Sequence, residues 1–538
     1  MTSPNSSPFG PQGLSMAESI TTDEPQSLDE DAPIPTSSSP PPASASEDSA
    51  SIKKMLPYFA TVGFCGIQMA WAVQIGYTSA VMRELGMPRS LLGLAWLAGP
   101  MTGILVQPVV GVMSDCCTSP LGRRRPFILL GALFTVIGLL GFSNSRELGR
   151  LFGDTDTNTT AGLWLSVIFF WVLDASLNIA QGPQRALLTD NVHKSQLAKG
   201  NALFSAHNGV GKMLGYGFGS VCLNETLALQ WLDTEVQALY FTAALVLVIT
   251  VGTTAISVNE EPWERPSDAL SGPKCMNVFS EVKRGMRTAP PSFWTTFCVQ
   301  CCVYAGWFAV FIWGSLWVGE DVFGGDARED VGTEPSCSVL NRFEEGVQLA
   351  NRGFFNMSIL SMVWATFLPK LCRKWGVRHV WCLHIVLMGV LLSSTRYVKV
   401  GASGPALAIL SLLGFPLAAT YALPWSIVTA SVSSEEYSGS RALFSTIFNL
   451  AQCFPEIFVA LVGAPLVERT GHNYTALSLS SLFVWLGSYL CLSVTEPPAL
   501  FNRGAEDSVP GGEASPPPSY PDGLGVSAGA GATQIAMV

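Results

Sequence analysis

Charge is what this sequence has least of. Asp, Glu, Lys and Arg make up 13% of the 538 residues, against about 25% in soluble domains. With 48% hydrophobic residues gathered in long runs, the shortage excludes an ordinary soluble domain and points to a polytopic membrane protein. Positive charge is missing altogether from residues 1–50, which hold eight acids (Glu18, Asp23, Glu24, Asp29, Glu30, Asp31, Glu47, Asp48). The net charge of −10 is therefore largely a tail effect. There is no basic surplus for a nucleic-acid partner. No apolar signal-peptide core opens the chain, so insertion is expected to start from the first span. The 13 cysteines sit mostly inside apolar runs, where cysteine behaves as a small hydrophobe. Cys116 and Cys117 are adjacent and form no C-x-x-C pair. No nucleophile–base set and no metal cluster is visible, so neither an enzyme nor a metal or organic cofactor is expected.

What is there is a series of twelve apolar runs, each long enough to span a bilayer. They lie near 55–80, 90–113, 125–144, 161–184, 200–222, 236–257, 291–316, 350–370, 378–397, 403–429, 441–466 and 474–494. The expected fold is all-α, with twelve transmembrane helices in two pseudo-symmetric six-helix halves. The expected organisation is a disordered tail (1–52), a six-helix half (53–258), a polar middle loop (259–290), a second half (291–497) and a Gly/Pro/Ser-rich tail (498–538). A basic turn follows the second span of each half, which is the repeat signal.

Positive charge sets the orientation. Arg123, Arg124 and Arg125 follow span two; Lys370, Arg373, Lys374 and Arg378 follow span eight; Lys274, Lys283, Arg284 and Arg287 lie in the middle loop. That side is expected to be cytoplasmic, with both tails, and the plasma membrane is the expected location. The sequons at Asn158, Asn224 and Asn473 fall on the other side, as glycosylation requires.

Three polar stripes interrupt the apolar runs. In span four, Asp174, Asn178, Gln181 and Arg185 stand at i, i+4, i+7 and i+11, one helix face covering about 16 Å of axis. An acid at mid-span costs about 3 kcal/mol on insertion scales and survives only facing a bundle interior or a watery path. Span five repeats the pattern with Asn201, Ser205, Asn208 and Lys212, and span eleven carries Asn449, Gln452 and Glu456, just after Pro455. The expectation is a central cavity in which Asp174 carries a proton, with Arg185, Lys212 and Glu456 as the other coupling groups. Burial and a nearby cation pull a carboxyl group in opposite directions, and Lys212 is the expected tuning cation. Asp174 equally suits helix–helix glue, and Arg185 a headgroup anchor.

Gly111-Val-Met-Ser-Asp115 followed by Gly122-Arg123-Arg124-Arg125 reads as a latch between helix ends: glycine for close approach, an acid to cap, arginines for negative helix C-termini. The order resembles the loop of major facilitator transporters. The longer string from Gln107-Pro-Val-Val-Gly111 to Arg125-Pro-Phe127 resembles the sucrose transporters of plants and their animal and fungal relatives. Gln68-Met-Ala-Trp71-Ala-Val-Gln74, Leu173-Asp174, Gln181-Gly-Pro-Gln-Arg185 and Asn201-Ala-Leu-Phe-Ser205 resemble the same family. The resemblance implies the major facilitator fold and proton-coupled symport of sucrose or a related glycoside, with the proton as the coupling ion. It also implies a proton site at Asp174 and a need for Arg185. Where plant members carry two acids and an arginine at the end of span seven, this chain has Gly314, Leu316 and Glu320. Lys212 and Glu456 stand where amides are expected.

Sugars stack on aromatic rings while their hydroxyls meet polar side chains. Gln68, Trp71, Gln74, Asn178, Gln181, Asn208, Trp313, Tyr421, Trp425 and Gln452 are the candidate binding residues. The expected partners are the sugar, the proton and the lipid bilayer. Pro517-Pro518-Ser519-Tyr520 adds a string of the kind WW-domain ubiquitin ligases dock. A monosaccharide or other sugar carrier of an internal membrane, or a non-transporting sugar sensor, fits the same stripes.

Overall fold

The protein is described here as a computed structural model covering residues 43–115, 117–155, 157–223, 229–260, 278–328, 341–432 and 441–496. Lys274, the sequon at Asn224 and the Pro517-Pro518-Ser519-Tyr520 string lie outside the described residues, as do residues 1–42 and 497–538 of the two tails.

Twelve helical rods form the bundle of the described part, with shorter helices at Ser145–Leu151 and Val278–Thr288 between them. The rods are α1 (Ala43–Glu84), α2 (Arg89–Asp115), α3 (Arg125–Ser143), α4 (Thr160–Asn191), α5 (Lys194–Phe218) and α6 (Glu235–Ser257), then α7 (Pro291–Val322), α8 (Arg342–Ala365, continued as Leu368–Trp375), α9 (Val377–Tyr397), α10 (Ser403–Ser431), α11 (Arg441–Thr470) and α12 (Tyr474–Cys491). Ten are long and apolar enough to cross a membrane, and α8 with its bent continuation makes eleven. The remaining rod, α5, has 25 residues, enough to span. It falls short only in composition, because Lys199, Asn201, His207, Asn208 and Lys212 lie along it. It also starts and ends earlier than the expected 200–222.

Three rods break, each at the same distance before a proline. α2 breaks after Trp96, four residues before Pro100. α8 breaks after Ala365, four before Pro369, and turns by 54°. α10 breaks after Leu412, four before Pro416. Proline lacks the N–H that would reach the carbonyl four residues back, and its ring clashes there. Proline permits the break without compelling it: α11 runs unbroken through Pro455 and Pro465.

The rods approach closely where glycine allows. A Cβ on Gly211 would stand 2.2 Å from the Cys65 carbonyl, joining α5 to α1, and one on Gly93 would stand 2.0 Å from the Ala460 carbonyl, joining α2 to α11. The first six rods meet the last six chiefly along α2–α11 and α5–α8. α3, α6, α9 and α12 turn large apolar side chains outward, among them Leu133, Ile137, Val248, Ile249, Leu383, Val390, Leu482 and Leu486. Such an apolar rim around a polar interior is what lipid requires. Cys222, past the end of α5, is disulfide-bonded, so not every cysteine is a spectator. Among the described residues no group of His, Cys, Asp and Glu could hold a metal.

Candidate functional site

Asp174 is 1% exposed, and its carboxylate is held entirely by neutral groups. Gln74 Nε2 of α1 donates to Oδ1 at 3.0 Å, Thr102 Oγ1 of α2 to Oδ2 at 2.5 Å, and Asn178 Nδ2, one turn along α4, to Oδ2 at 3.2 Å. The network then runs outward. Gln107 Nε2 donates to Asn178 Oδ1 at 2.5 Å, and Asn449 Nδ2 of α11 donates to Gln107 Oε1 at 3.3 Å. A second acid is close. A Cβ on Gly99 would stand 3.9 Å from Asp174 Oδ1 and 4.0 Å from Glu456 Oε2. Two carboxylates from α4 and α11 thus flank one point of α2. Among the described residues no cation lies within ion-pair distance of either.

The cations stand apart from the acids. Arg185 lies over the rings of Phe64 and Phe204, at 5.5 and 6.0 Å, and its Nε and Nη2 are buried with no hydrogen-bond partner. Lys212 Nζ lies 4.8 Å over the Tyr421 ring and within electrostatic range of Arg185. Lys212 therefore does not pair with Asp174, which corrects the expected tuning role. The reason is direction: Asp174 faces α1 and α2, while the α5 side chain faces α10. Tyr304 of α7 lies close to the Tyr421 hydroxyl and within electrostatic range of both Arg185 and Glu456. It links the basic and acidic sides of the site, and it went unnoticed in the sequence.

The remaining candidates divide. Gln68 Nε2 donates to Gln181 Oε1 at 3.3 Å, bridging α1 and α4. Trp71 Nε1, Gln74 Oε1, Asn208 Oδ1 and Gln452 Nε2 are buried without partners, so α1, α5 and α11 turn unspent polar atoms inward. Trp313 Nε1 and Trp425 Nε1 are unpartnered too, but the rings of both are engaged in packing. Trp313 is fully buried, and a Cβ on Gly463 would come within 2.5 Å of its ring, so the indole packs α7 on α11 and offers no face to a sugar. Trp425 stands edge-on to Phe448 in a separate apolar cluster with Phe293 and Phe444, which removes it from the binding group as well. Thr102 and Gln107 are the neighbours that sequence reasoning missed: a lone threonine in an apolar run carries no signal, and Gln107 counted only as part of the loop string.

Both ends of the bundle are tied by charge. At the basic end, Arg124 pairs with Asp115 (2.5 Å) and Asp190 (2.8 Å) and donates to Ser114 Oγ (2.7 Å). Arg123 pairs with Asp190 at 2.9 Å. Arg125 Nη2 donates to the Ala255 carbonyl. Gly122, at φ +96°, turns the chain so that the Arg124 and Arg125 N–H groups donate to Glu260 at 2.8–3.1 Å. The expected latch thus ties α2, α4 and α6 of the first half. Gly111 is no close-approach point: a Cβ there would meet nothing within 4 Å. At the opposite end the ties cross between halves. Glu320, on the π-helical last turn of α7, takes Arg83 (3.0 Å), Arg89 (2.6 Å) and Asn473 Nδ2 (2.9 Å). Glu468 accepts from the Ser90 N–H at 3.0 Å, and Arg328 Nη2 donates to the Gly86 carbonyl at 2.8 Å. Asn473 is fully buried and its amide is spent on Glu320 and the Leu316 carbonyl, so the expected glycan has no access there. Asn158 is exposed, with Thr160 Oγ1 donating to its Oδ1 at 2.6 Å.

Comparison with known proteins fits this arrangement. The model of the Major Facilitator Superfamily matches residues 60–455. The sucrose transport protein SUC4 of Arabidopsis thaliana is 29% identical over 85% of this chain and 92% of its own. The sucrose transport protein SUT5 of Oryza sativa subsp. indica is 30% identical over 81% of this chain and 86% of its own. Among solved structures, the nucleoside transporter NupG superposes with a TM-score of 0.52 at 12% identity, covering 82% of this chain and 98% of that one; this likeness concerns the fold. A multi-pass bundle with a polar core and charge-tied ends, matched over most of its length by such relatives, belongs to the Major Facilitator Superfamily and, within it, to the family of the sucrose transport proteins.

Proposed function

We propose that the chain is a proton-coupled symporter of sucrose or a related glycoside, working by alternating access in the plasma membrane with its basic end cytoplasmic. The observation that carries this reading is the acid pair. Asp174 and Glu456 converge on Gly99, and no cation among the described residues pairs with either. Two carboxylates near one another in a low dielectric repel as a dianion, and protonating one of them relieves the repulsion. The site therefore has a reason to bind a proton whenever water reaches it and to release it when the surroundings change. The neutral donors Gln74, Thr102 and Asn178 can serve either charge state of Asp174 by local reorientation. Asn178 and the Gln68–Gln181 bridge, one turn on, supply hydroxyl partners for a sugar, and Tyr304 and Tyr421 supply rings.

Access follows from the ends. Ion pairs between the halves close the end opposite the basic loops, whereas the described ion pairs at the basic end stay within one half. The site in this state is sealed from outside and opens, in the proposal, toward the cytoplasm. Rocking the halves breaks the Glu320 pairs and reverses the access.

The test uses Asp174→Asn, which keeps shape and hydrogen bonding but cannot ionise. Sugar exchange across the membrane should persist, while accumulation against a gradient and the proton current should vanish. Wild-type uptake should rise as outside pH falls and collapse with a protonophore. Concentrative uptake with normal current in Asp174→Asn would refute the coupling role.

A further inference from the structure

The two basic turns are not neutralised alike. After α2, Arg123 and Arg124 are paired by Asp115 and Asp190. After α8, Lys370, Arg373 and Lys374 all lie exposed on the bent continuation Leu368–Trp375. Among the described residues no carboxylate pairs with any of the three. Glu496 reaches this turn, but its Oε1 accepts from the Arg378 N–H, and the Arg378 side chain goes to the Leu492 carbonyl.

The continuation is two-sided. Leu368, Leu371 and Cys372, at i, i+3 and i+4, pack on the core. Lys370, Arg373 and Lys374 repeat that spacing on the opposite side. Phe367 and Trp375 stand exposed at its two ends, and Lys374 Nζ lies 5.7 Å from the centre of the Trp375 ring. The whole leaves the line of α8 by 54°. Exposed rings beside lysines suit a membrane interface, with the ring at headgroup level and the ammonium among phosphates. The basic helix Val278–Thr288 is built otherwise. Lys283 and Arg287 are exposed there too, but Val282 and Met286 are spent on the cluster of Phe293, Phe444 and Phe448. Among the described residues no ring lies under either of those cations.

We propose that the bent continuation of α8 is a docking site for an anionic phospholipid of the leaflet at the basic end. Lys370, Arg373 and Lys374 hold its phosphate and headgroup, and Phe367 and Trp375 set the depth. The lipid gives the second half the counter-charge that Asp115 and Asp190 give the first. One half is thus tied to itself and the other to the membrane.

The purified full chain in a neutral detergent is titrated with phosphatidylserine, with phosphatidylcholine, and with glycerophosphoserine, the first headgroup without its acyl chains. The rise in thermal midpoint gives the half-saturating concentration of each. A Lys or Arg close to an anionic surface favours it about fivefold. Phosphatidylserine should therefore half-saturate at a concentration roughly tenfold or more below that of phosphatidylcholine and of the free headgroup, and added salt should narrow the first gap. Lys370→Gln, Arg373→Gln and Lys374→Gln combined should remove most of that gap, whereas Lys283→Gln with Arg287→Gln should change it by less than about twofold. Phosphatidylserine no better than phosphatidylcholine would overturn the inference. A free headgroup as effective as the lipid would also overturn it, by marking an anion site without a membrane role. An equal loss in the Lys283→Gln, Arg287→Gln chain would do the same, since the attraction would then be diffuse. No sugar enters the test, so its outcome is independent of the symport reading. The wild-type titrations decide the matter even if the substituted chains do not fold.

Discussion

The two halves build the same corner with different ambitions. In each, a glycine in the left-handed region stands two residues before an arginine: Gly122 (φ +96°) before Arg124, and Gly376 (φ +80°) before Arg378. In each, a glutamate just past the last helix of that half accepts from N–H groups that open the third helix of the half. Glu260 takes Arg124 and Arg125, and Glu496 takes Arg378 at 2.6 Å. The flanking sequences agree, Ser257-Val-Asn-Glu260 and Ser493-Val-Thr-Glu496. A carboxylate on unpaired helix N–H groups, favoured also by the helix dipole, is a capping device, and its repetition marks it as part of the fold. The difference is the side-chain layer. Arg124 adds Asp115, Asp190 and Ser114, drawing α2 and α4 into the knot. Arg378 adds only the Leu492 carbonyl, at 3.4 Å. Pro369 occupies the place, seven residues before the glycine, that Asp115 holds in the first half. The shared cap folds the corner; the extra arginine layer also ties α2 and α4 to it.

The sharpest way to break that comparison is to remove the two arginines. Arg124→Ala strips two ion pairs, leaves Asp115 without its partner and leaves Asp190 with Arg123 alone. Charge-assisted bonds of this kind are worth about 1.5–3 kcal/mol each, so a tenfold or larger loss of uptake, about 1.4 kcal/mol per factor of ten, is expected with the chain still at the membrane. Arg378→Ala should cost no more than about twofold, since a single long bond to a carbonyl is lost. Uptake rates corrected for surface protein check both. Equal losses would mean that the second layer has no special part in gating.

Ten of the spans were legible because lipid imposes a length and a composition that few other structures share. The Asp174–Asn178 face was legible because helical spacing survives inside an apolar run. What reaches that face from other helices was not. Thr102 is 72 residues from Asp174, and one threonine among apolar neighbours breaks no pattern. Lys212 was assigned to the wrong partner because a stripe gives a helix face but not the neighbour that face meets. Glu320 stood out only as a departure from the related family; its pairing with Arg83 and Arg89, 237 and 231 residues away, is a tertiary fact without local trace. Trp313 and Trp425 could not be separated from sugar platforms, since packing and stacking use the same residue type.

A smaller effect separates the glycines. Alanine at either place is forced into the left-handed region, at about 1–2 kcal/mol. At Gly122 the new Cβ would also stand 2.3 Å from Glu260 Cβ, whereas at Gly376 it would stand 3.0 Å from Glu496 Oε1, the carboxylate end that caps the Arg378 N–H and has only to give by a few tenths of an ångström. Gly122→Ala should therefore lower the thermal midpoint of the detergent-purified chain more than Gly376→Ala. The reverse order would show that the second corner is the stiffer one.

The smallest expected effect compares the sequons of the two halves. Asn158 is exposed in the loop before α4, and its side chain accepts from Thr160 Oγ1. Asn473 is buried against Glu320 in the contact that closes the end opposite the basic loops. A glycosylating enzyme needs an accessible asparagine amide on the outer side. Asn158→Gln should remove one glycan's mass from the chain made in a eukaryotic host, with uptake unchanged. Asn473→Gln should leave the mass as it is, yet speed outward opening, because the longer side chain cannot hold Glu320 in the same geometry. The readouts are gel mobility with and without glycosidase, and uptake kinetics. A glycan on Asn473 would mean that the Glu320 cluster forms only after that asparagine has spent time open to the lumen, and that the closed end is the less stable of the two.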